Sequence, residues 1–392
     1  MTVHGPAAAA VGEVEMRSWL SSVSVVVPTL GHPDAVRRLL DSLRAAVAAL
    51  PRGREAELLI VDDSQGADLA DIQKACHATG AVYLRGPRNV GAKRNTGVAR
   101  SRFPLVLFVD SDCVATPSLL NDHIDAHNEH RATDGESIAA VAGPTVVDGA
   151  AQAPAWRTVQ HSVVVNAPWN WPLHYDRLWW GATSNLSVRK DVFERIGGFD
   201  EHPYTVVGGE DVDFGVRLHA AGHRTLGDPR AVVMHATDGI TKLSQFHRKL
   251  FLYGRACVYN CVRQPEHAGW SFNPASASGA LAVTAVLLPG ARRTAAGAAA
   301  AVLAGCFVRD TVKLLRRSRP ANGMAGGRAL RSAVAATSVD WSYHLGIARE
   351  AVVRGRPLLS MKRFDYFPPH LFRPAAAAGA PSDPSRQERN AS

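Results

Sequence analysis

Leu105-Val106-Leu107-Phe108-Val109-Asp110-Ser111-Asp112 is an apolar run that stops at two carboxylates spaced i, i+2. Five consecutive apolar residues read as a strand buried on both faces. If the extended backbone persists through Ser111, side-chain alternation sends Asp110 and Asp112 to the same side, where they can share one target. Two carboxylates that close resist joint ionisation unless a cation or hydrogen-bond donors compensate, so a divalent ion carrying phosphate oxygens is a natural third party. The competing reading is a solvated turn at a strand end, since Asp and Ser both favour turns.

Outward from this run the chain alternates short apolar strands with helical patterns. Val23-Ser24-Val25-Val26-Val27-Pro28-Thr29 is a β-branched run closed by proline, and Val36, Leu39, Leu40, Leu43 and Val47 then recur at helical spacing. Leu58-Leu59-Ile60-Val61-Asp62-Asp63 is a second strand that ends in acids, residues 72–78 are helical, and Val82-Tyr83-Leu84 is a short third strand. Residues 91–99 open another helix before the 105–109 strand. This order predicts an α/β fold with a mainly parallel sheet, whose ligand sits beyond the carboxyl ends of the strands, where Asp62, Asp63, Asp110 and Asp112 all fall.

The chain of 392 residues can bury a large core. Its charge is segregated: residues 241–392 hold 22 Lys and Arg against 7 Asp and Glu, and the totals of 44 and 35 leave 22 against 28 for residues 1–240. An acidic first part suits a metal site and a basic, Ala-rich second part suits an anionic contact, an anionic membrane surface among the candidates. Nucleic acid is not expected, because the basic residues carry no recognisable nucleic-acid motif. Residues 275–288 and 294–308 are apolar but shorter than the roughly 20 residues that span a bilayer, so a spanning helix is not expected. Residues 1–20 lack a basic region followed by a sustained apolar core, so no secretory signal is read there. The five cysteines are scattered, and Cys257 and Cys261 share a helix face at i, i+4. These features fit a cytoplasmic protein, peripheral on the inner face of the membrane if the basic region binds it.

The expected organisation is a flexible arm over residues 1–20, a catalytic domain over 21–260, a basic helical extension over 261–372 and a disordered tail over 373–392. Five of the eight tryptophans (Trp156, Trp169, Trp171, Trp179, Trp180) cluster in one Pro-containing stretch, as core or as a platform on which sugar or lipid stacks.

Further elements complete a pattern: Asn89-Val90-Gly91-Ala92-Lys93-Arg94-Asn95-Thr96-Gly97, Gly197-Gly198-Phe199-Asp200-Glu201 and Gly209-Glu210-Asp211-Val212-Asp213-Phe214. With the two strand-end acid pairs and the Val-Pro-Thr strand, the chain resembles the inverting GT-A glycosyltransferases, the large family 2 type typified by bacterial cell-wall and polysaccharide sugar transferases. The resemblance runs from about Val23 to His235, with a helical extension to about Gly254. It implies a nucleotide-diphosphate-sugar donor, a UDP-sugar in preference, and Mn²⁺ or Mg²⁺. Pro28 and Thr29 would line the nucleotide pocket, with Asp62 or Asp63 accepting a hydrogen bond from base or ribose and Arg94 contacting the nucleotide. Lys93 is read as a surface residue. Asp110 would reach ribose or metal-bound water, Asp112 the metal, and His235 would be a further ligand. On the acceptor side the resemblance implies Asp211 as general base with Glu210 orienting it. Gln245-Phe246-His247-Arg248-Lys249 departs from the Gln-x-x-Arg-Trp motif of processive synthases, which favours a single transfer. His247, Arg248, Lys249 and Arg255 either close over the diphosphate or form a solvated face. The acceptor stays open among a lipid-linked sugar, a peptide and a small metabolite. The alternatives are a nucleotidyltransferase acting on a sugar phosphate and a non-catalytic module that binds nucleotide sugar or membrane.

Overall fold

The computed structural model describes residues 20–129, 137–147, 155–156, 168–201, 208–236, 241–318 and 326–375. The first half alternates as the sequence predicts: β1 (Ser22–Thr29), α1 (Pro33–Ala48), β2 (Glu55–Asp62), α2 (Gly66–Thr79), β3 (Val82–Arg85), α3 (Val90–Arg100) and β4 (Leu105–Val109). β4, β1, β2 and β3 lie side by side and parallel. All of β4 and all but the first residue of β1 are buried, as expected for parallel strands covered on both faces. The helix expected over 72–78 is one turn and a half longer at its start, beginning at Gly66.

Beyond β4 the sheet becomes mixed. β6 (Ser137–Ala142), β8 (Tyr175–Leu178), β9 (Asn185–Arg189), β10 (His223–Gly227) and β14 (Arg373–Pro374) extend it to nine strands in the order β14-β8-β10-β6-β9-β4-β1-β2-β3. β9 runs antiparallel between β4 and β6. A second sheet of three short strands, β5 (Cys113–Ala115), β11 (Val233–His235) and β7 (Thr145–Val147), sets His235 opposite Cys113 and so beside Asp112. The extended stretch expected over 162–165 lies outside the described residues.

Helices α4 (Leu119–Glu129), α5 (Lys190–Arg195) and α6 (Glu210–Ala220) cover the sheet, and α7 (Leu243–Arg263), α8 (Pro274–Leu287), α9 (Arg292–Ser318) and α10 (Gly326–Val353) follow. The division expected at residue 260 falls inside α7. Phe246, Leu250 and Cys257 of α7 share one buried cluster with Val339, Tyr343 and Ile347 of α10, and with Phe364, Phe372 and Trp179. The chain also returns to the catalytic half after α10: β13 (Lys362–Phe364) pairs antiparallel with β12 (Ala268–Trp270), and β14 adds to the edge of the main sheet at β8. Arg373 and Pro374, expected at the start of a disordered tail, therefore belong to the sheet; residues 376–392 lie outside the described residues. No helix among the described residues is long and apolar enough to cross a membrane.

The α7–α10 crossing is set by two glycines. A Cβ on Gly254 would come within 2.0 Å of the Tyr343 carbonyl oxygen, and one on Gly346 within 2.0 Å of the Phe251 carbonyl oxygen. The two backbones approach as closely as they do because neither position carries a side chain. Gly346→Ala is expected to push the helices apart at a cost of about 1–3 kcal/mol, read as a lowered midpoint in thermal denaturation. Gly279→Ala, on α8 with open space around it, is the neutral control.

Candidate active site

The site forms where β1, β2 and β4 end. Asp62, at the end of β2, is fully buried; its Oδ1 accepts hydrogen bonds from the Ser64 amide (3.0 Å) and hydroxyl (2.5 Å), and its Oδ2 accepts one from Tyr83 (3.1 Å). Thr29 is its register neighbour on β1, and Pro28 and Thr29 are both buried there. Asp63 pairs with Lys93 of α3, whose ammonium also donates to the Thr29 carbonyl. Lys93 is therefore not a surface residue: it is 4% exposed. Its charge finds a carboxylate and a strand-end carbonyl inside, which the local sequence does not show.

Arg94 occupies the centre. It is 3% exposed, and one guanidinium nitrogen donates to Glu210 Oε1 at 2.8 Å while the other donates to Asp110 Oδ1 at 2.9 Å. The Phe199 ring lies 5.7 Å away. The Gly-Gly-Phe-Asp-Glu segment thus serves packing here, with Asn95 donating to the Phe199 carbonyl at 2.8 Å. Arg94, expected to contact the nucleotide, spends both terminal nitrogens on protein carboxylates.

β4 ends at Val109, and a turn follows in which the Cys113 amide donates to the Asp110 carbonyl at 3.1 Å. Of the two readings of this segment, extended through Ser111 or a turn at the strand end, the turn is the one formed, and the two acids take different partners. Asp110 faces Arg94, while Asp112 Oδ2 lies 3.3 Å from His235 Nε2. Their side chains remain 38% and 44% exposed, open to a ligand. Burial raises the Asp110 carboxyl above its ordinary range, against the pull of Arg94 and with the help of the Asp112 charge. For Asp112 desolvation acts the same way, but the hydrogen bond and charge of His235 and the charge of Lys249 outweigh it and lower the carboxyl.

His235 is 4% exposed, stacked on Trp169 with centroids 4.7 Å apart, and its Nδ1 has no hydrogen-bond partner among the described residues. Among the described residues no group of three or more His, Cys, Asp or Glu side chains is arranged to hold an ion. Asp112 and His235 form a two-residue donor set, which suits a cation that completes its shell with phosphate oxygens and water.

On the opposite side, Gly208 and Gly209 adopt φ of +96° and +97° and launch α6 with Glu210 and Asp211 in its first turn. Positive φ at both positions explains the glycine pair. Glu210 is 4% exposed. Burial, then the neighbouring Glu210 charge, raise the Asp211 carboxyl to about 7 in spite of Arg94. Asp213 points elsewhere, fully buried against Arg217 at 2.8 Å.

Of the four basic candidates on α7, one reaches the site. His247 bonds Ser342 (2.8 Å) and Arg255 bonds Glu350 (2.7 Å), both on α10, and Arg248 is exposed. Lys249 lies 5.3 Å over Trp169 and 5.8 Å over Tyr253, within electrostatic reach of Asp112 and Asp110. Tyr253 had no distinguishing signal in the sequence beyond its i, i+4 spacing from Lys249.

Residues 24–154 match the model of glycosyl transferase family 2, and residues 160–240 match that described as the N-terminal domain of galactosyltransferase. Residues 24–154 are thus a glycosyl transferase family 2 domain, built around the Asp110 strand end. It is 28% identical over 244 residues to the pre-mycofactocin glycosyltransferase of Mycobacterium tuberculosis, covering 62% of this chain and 48% of that one. It is 26% identical over 231 residues to the validoxylamine A glucosyltransferase of Streptomyces hygroscopicus subsp. jinggangensis, covering 51% and 52%. The chain thus spans about half the length of these two relatives. A mannosyltransferase of Pyrobaculum calidifontis, solved in complex with GDP-Man and Mn²⁺, superposes with a TM-score of 0.50 at 17% identity, covering 83% of this chain and 86% of that one. That likeness is one of fold.

Arg94→Ala would leave Glu210 buried without its cation. Removing one partner of a buried pair costs about 3–5 kcal/mol. Chemical denaturation of the variant is expected to show that loss, and Arg94→Ala/Glu210→Gln to recover part of it.

Proposed function

We propose that the chain transfers a single sugar, with inversion, from a nucleotide-diphosphate sugar to an acceptor hydroxyl. The observation that carries this reading is Asp211, a carboxyl raised to about 7 that lines a cleft and is tied to the strand-end acids through Glu210 and Arg94. A base that titrates near neutrality accepts a proton readily at physiological pH. The acceptor oxygen forms the new bond to the anomeric carbon as the bond to the diphosphate breaks on the opposite face. The hydroxyl proton passes to Asp211, and the electron pair leaves with the nucleoside diphosphate. Glu210, held by Arg94, keeps Asp211 desolvated beside a like charge. Asp63 and Thr29 border the nucleotide side, with Asp62 orienting the Ser64 turn.

Asp112 and His235 would hold a divalent cation, Mn²⁺ or Mg²⁺, with Asp110 reaching it through water or contacting ribose. Such an ion supplies charge neutralisation at the leaving diphosphate. The protein side of that task falls to Lys249, whose charge already faces both acids.

Incubating the chain with a panel of UDP- and GDP-sugars and Mn²⁺ is expected to release nucleoside diphosphate from one of them. Release of pyrophosphate from a nucleoside triphosphate would select nucleotidyl transfer instead. Asp112→Ala is expected to lower donor turnover at least a hundredfold, and Asp211→Asn to abolish transfer while donor binding persists. Full activity in both variants would remove the site assignment. Transfer kcat/KM is expected to rise with pH through about 7, because the base works only when deprotonated. A raised carboxyl also makes its ionisation costly to the folded state, so Asp211→Asn is expected not to lower the melting temperature at pH 8.

An anionic membrane surface is proposed as a further partner. Val286 and Leu287 on α8 are 79% and 70% exposed, and Arg292 and Arg293 follow at the exposed start of α9. An apolar face with adjacent cations suits an interface of acidic lipid. Sedimentation with vesicles containing phosphatidylglycerol is expected to capture the chain, and Val286→Asp/Leu287→Asp to release it.

A further inference from the structure

Asp211 lines a cavity of about 540 Å³, within the range of small-molecule sites (about 300–1,000 Å³). Its walls come from two distant parts of the chain. Trp171 and Trp180 supply one group of lining residues, and Tyr253, Trp270, Tyr366 and Phe367 supply another. The second group lies wholly beyond residue 240, where the matched domains end.

The later segment is fastened in place. Trp180 Nε1 donates to the Tyr366 carbonyl at 3.0 Å. Trp171 packs on Phe367 and Phe372, with centroids 5.4 Å and 4.9 Å apart. The pairing of β12 with β13 sets Trp270 opposite Lys362, whose ammonium lies 4.2 Å from the ring centroid. With β14 joined to β8, residues 362–374 form a strap anchored at both ends, and the aromatic residues it presents make a standing wall.

The chemistry of this lining is uneven. Among the described residues that line it polar groups are few, and the charged ones are Asp211, Arg363 and Asp365. An acceptor covered with hydroxyls would desolvate most of them against aromatic carbon, at a cost for each left unpaired. A flat, ring-bearing body gains both burial and ring-to-ring contact, the latter about 0.5–1.5 kcal/mol per pair. We propose that this cavity is the acceptor site, and that it takes an acceptor that bears an aromatic aglycone beside its reacting hydroxyl, seated against the aromatic wall that the tryptophans and the 362–374 strap form together. The proposal rests on Asp211 being the base. It makes the C-terminal strap, together with the Trp-rich stretch, the determinant of acceptor choice.

Calorimetric titration of the full chain with three probes tests it: 4-methylumbelliferyl, octyl and methyl β-D-glucoside. The aryl glucoside is expected to bind at least tenfold more tightly than the other two. Trp270→Ala, at a residue 70% exposed and so tolerant of truncation, is expected to weaken aryl binding at least tenfold with an unchanged far-UV spectrum. Trp270→Phe is expected to restore most of it, which a loss of fold would not allow. Equal affinity for the aryl and methyl probes, tighter binding of the octyl probe, absence of binding, or insensitivity to Trp270→Ala would each overturn the proposal. Failure of the transfer reading shows separately, as aryl binding without release of nucleoside diphosphate from any donor.

Discussion

Arg94 donates to Asp110, where β4 ends, and to Glu210, where α6 begins, carboxylates that lie 16 and 116 residues away in the chain. A guanidinium with 3% exposure is a heavy desolvation load. Such a group is tolerated only when charged partners meet it in good geometry. The requirement works in both directions, because Glu210 is as buried as Arg94 and has one carboxylate oxygen without a partner among the described residues. The end of β4 at Asp110 and the start of α6 at Glu210 are thereby locked to one another. The raised carboxyl of Asp211 follows from that lock: the residue is half-buried, shielded from solvent and next to a carboxylate that Arg94 holds in place.

The C-terminal helices take part in the same arrangement. α7 delivers Lys249 and Tyr253 to the site on one face while His247 and Arg255 bond to α10 on another. The close α7–α10 crossing at Gly254 and Gly346 determines how that helix is presented. The strap then brings Tyr366 and Phe367 into the cavity that Asp211 lines. Residues beyond 260 share a core with the earlier part of the chain, through Phe246, Val339, Tyr343 and Phe364.

Much of the parallel half was legible in the chain, because its signals are local. Apolar runs of strand length, the helical recurrence after Pro33 and acids at the strand ends depend on residues adjacent in sequence. The motif elements also led to Arg94, Asp110, Asp112, Glu210, Asp211 and His235, which the fold does bring to one place. The misreadings share a different cause. Lys93 looks like a solvent-facing helix residue until Asp63 and the Thr29 carbonyl are seen beside it. Four basic residues on α7 look equivalent until α10 takes two of them. The residues following β4 could run straight or turn, and a single amide, that of Cys113 donating to the Asp110 carbonyl, decides for the turn.

By itself the sequence determined the strand and helix order, the strand-end acids and the acid pair at the start of α6, since backbone periodicity and residue chemistry act over a few positions. It also carried the family resemblance that assigned those acids to two sides of a sugar transfer. Only the tertiary structure decided that Asp110 and Asp112 part company, one toward Arg94 and the other toward His235. It alone placed Lys249 and Tyr253 at the site and built an aromatic wall from residues 362–374. Those outcomes depend on burial and on charges paired over tens to hundreds of residues. Such energies exist only once the chain has closed on itself.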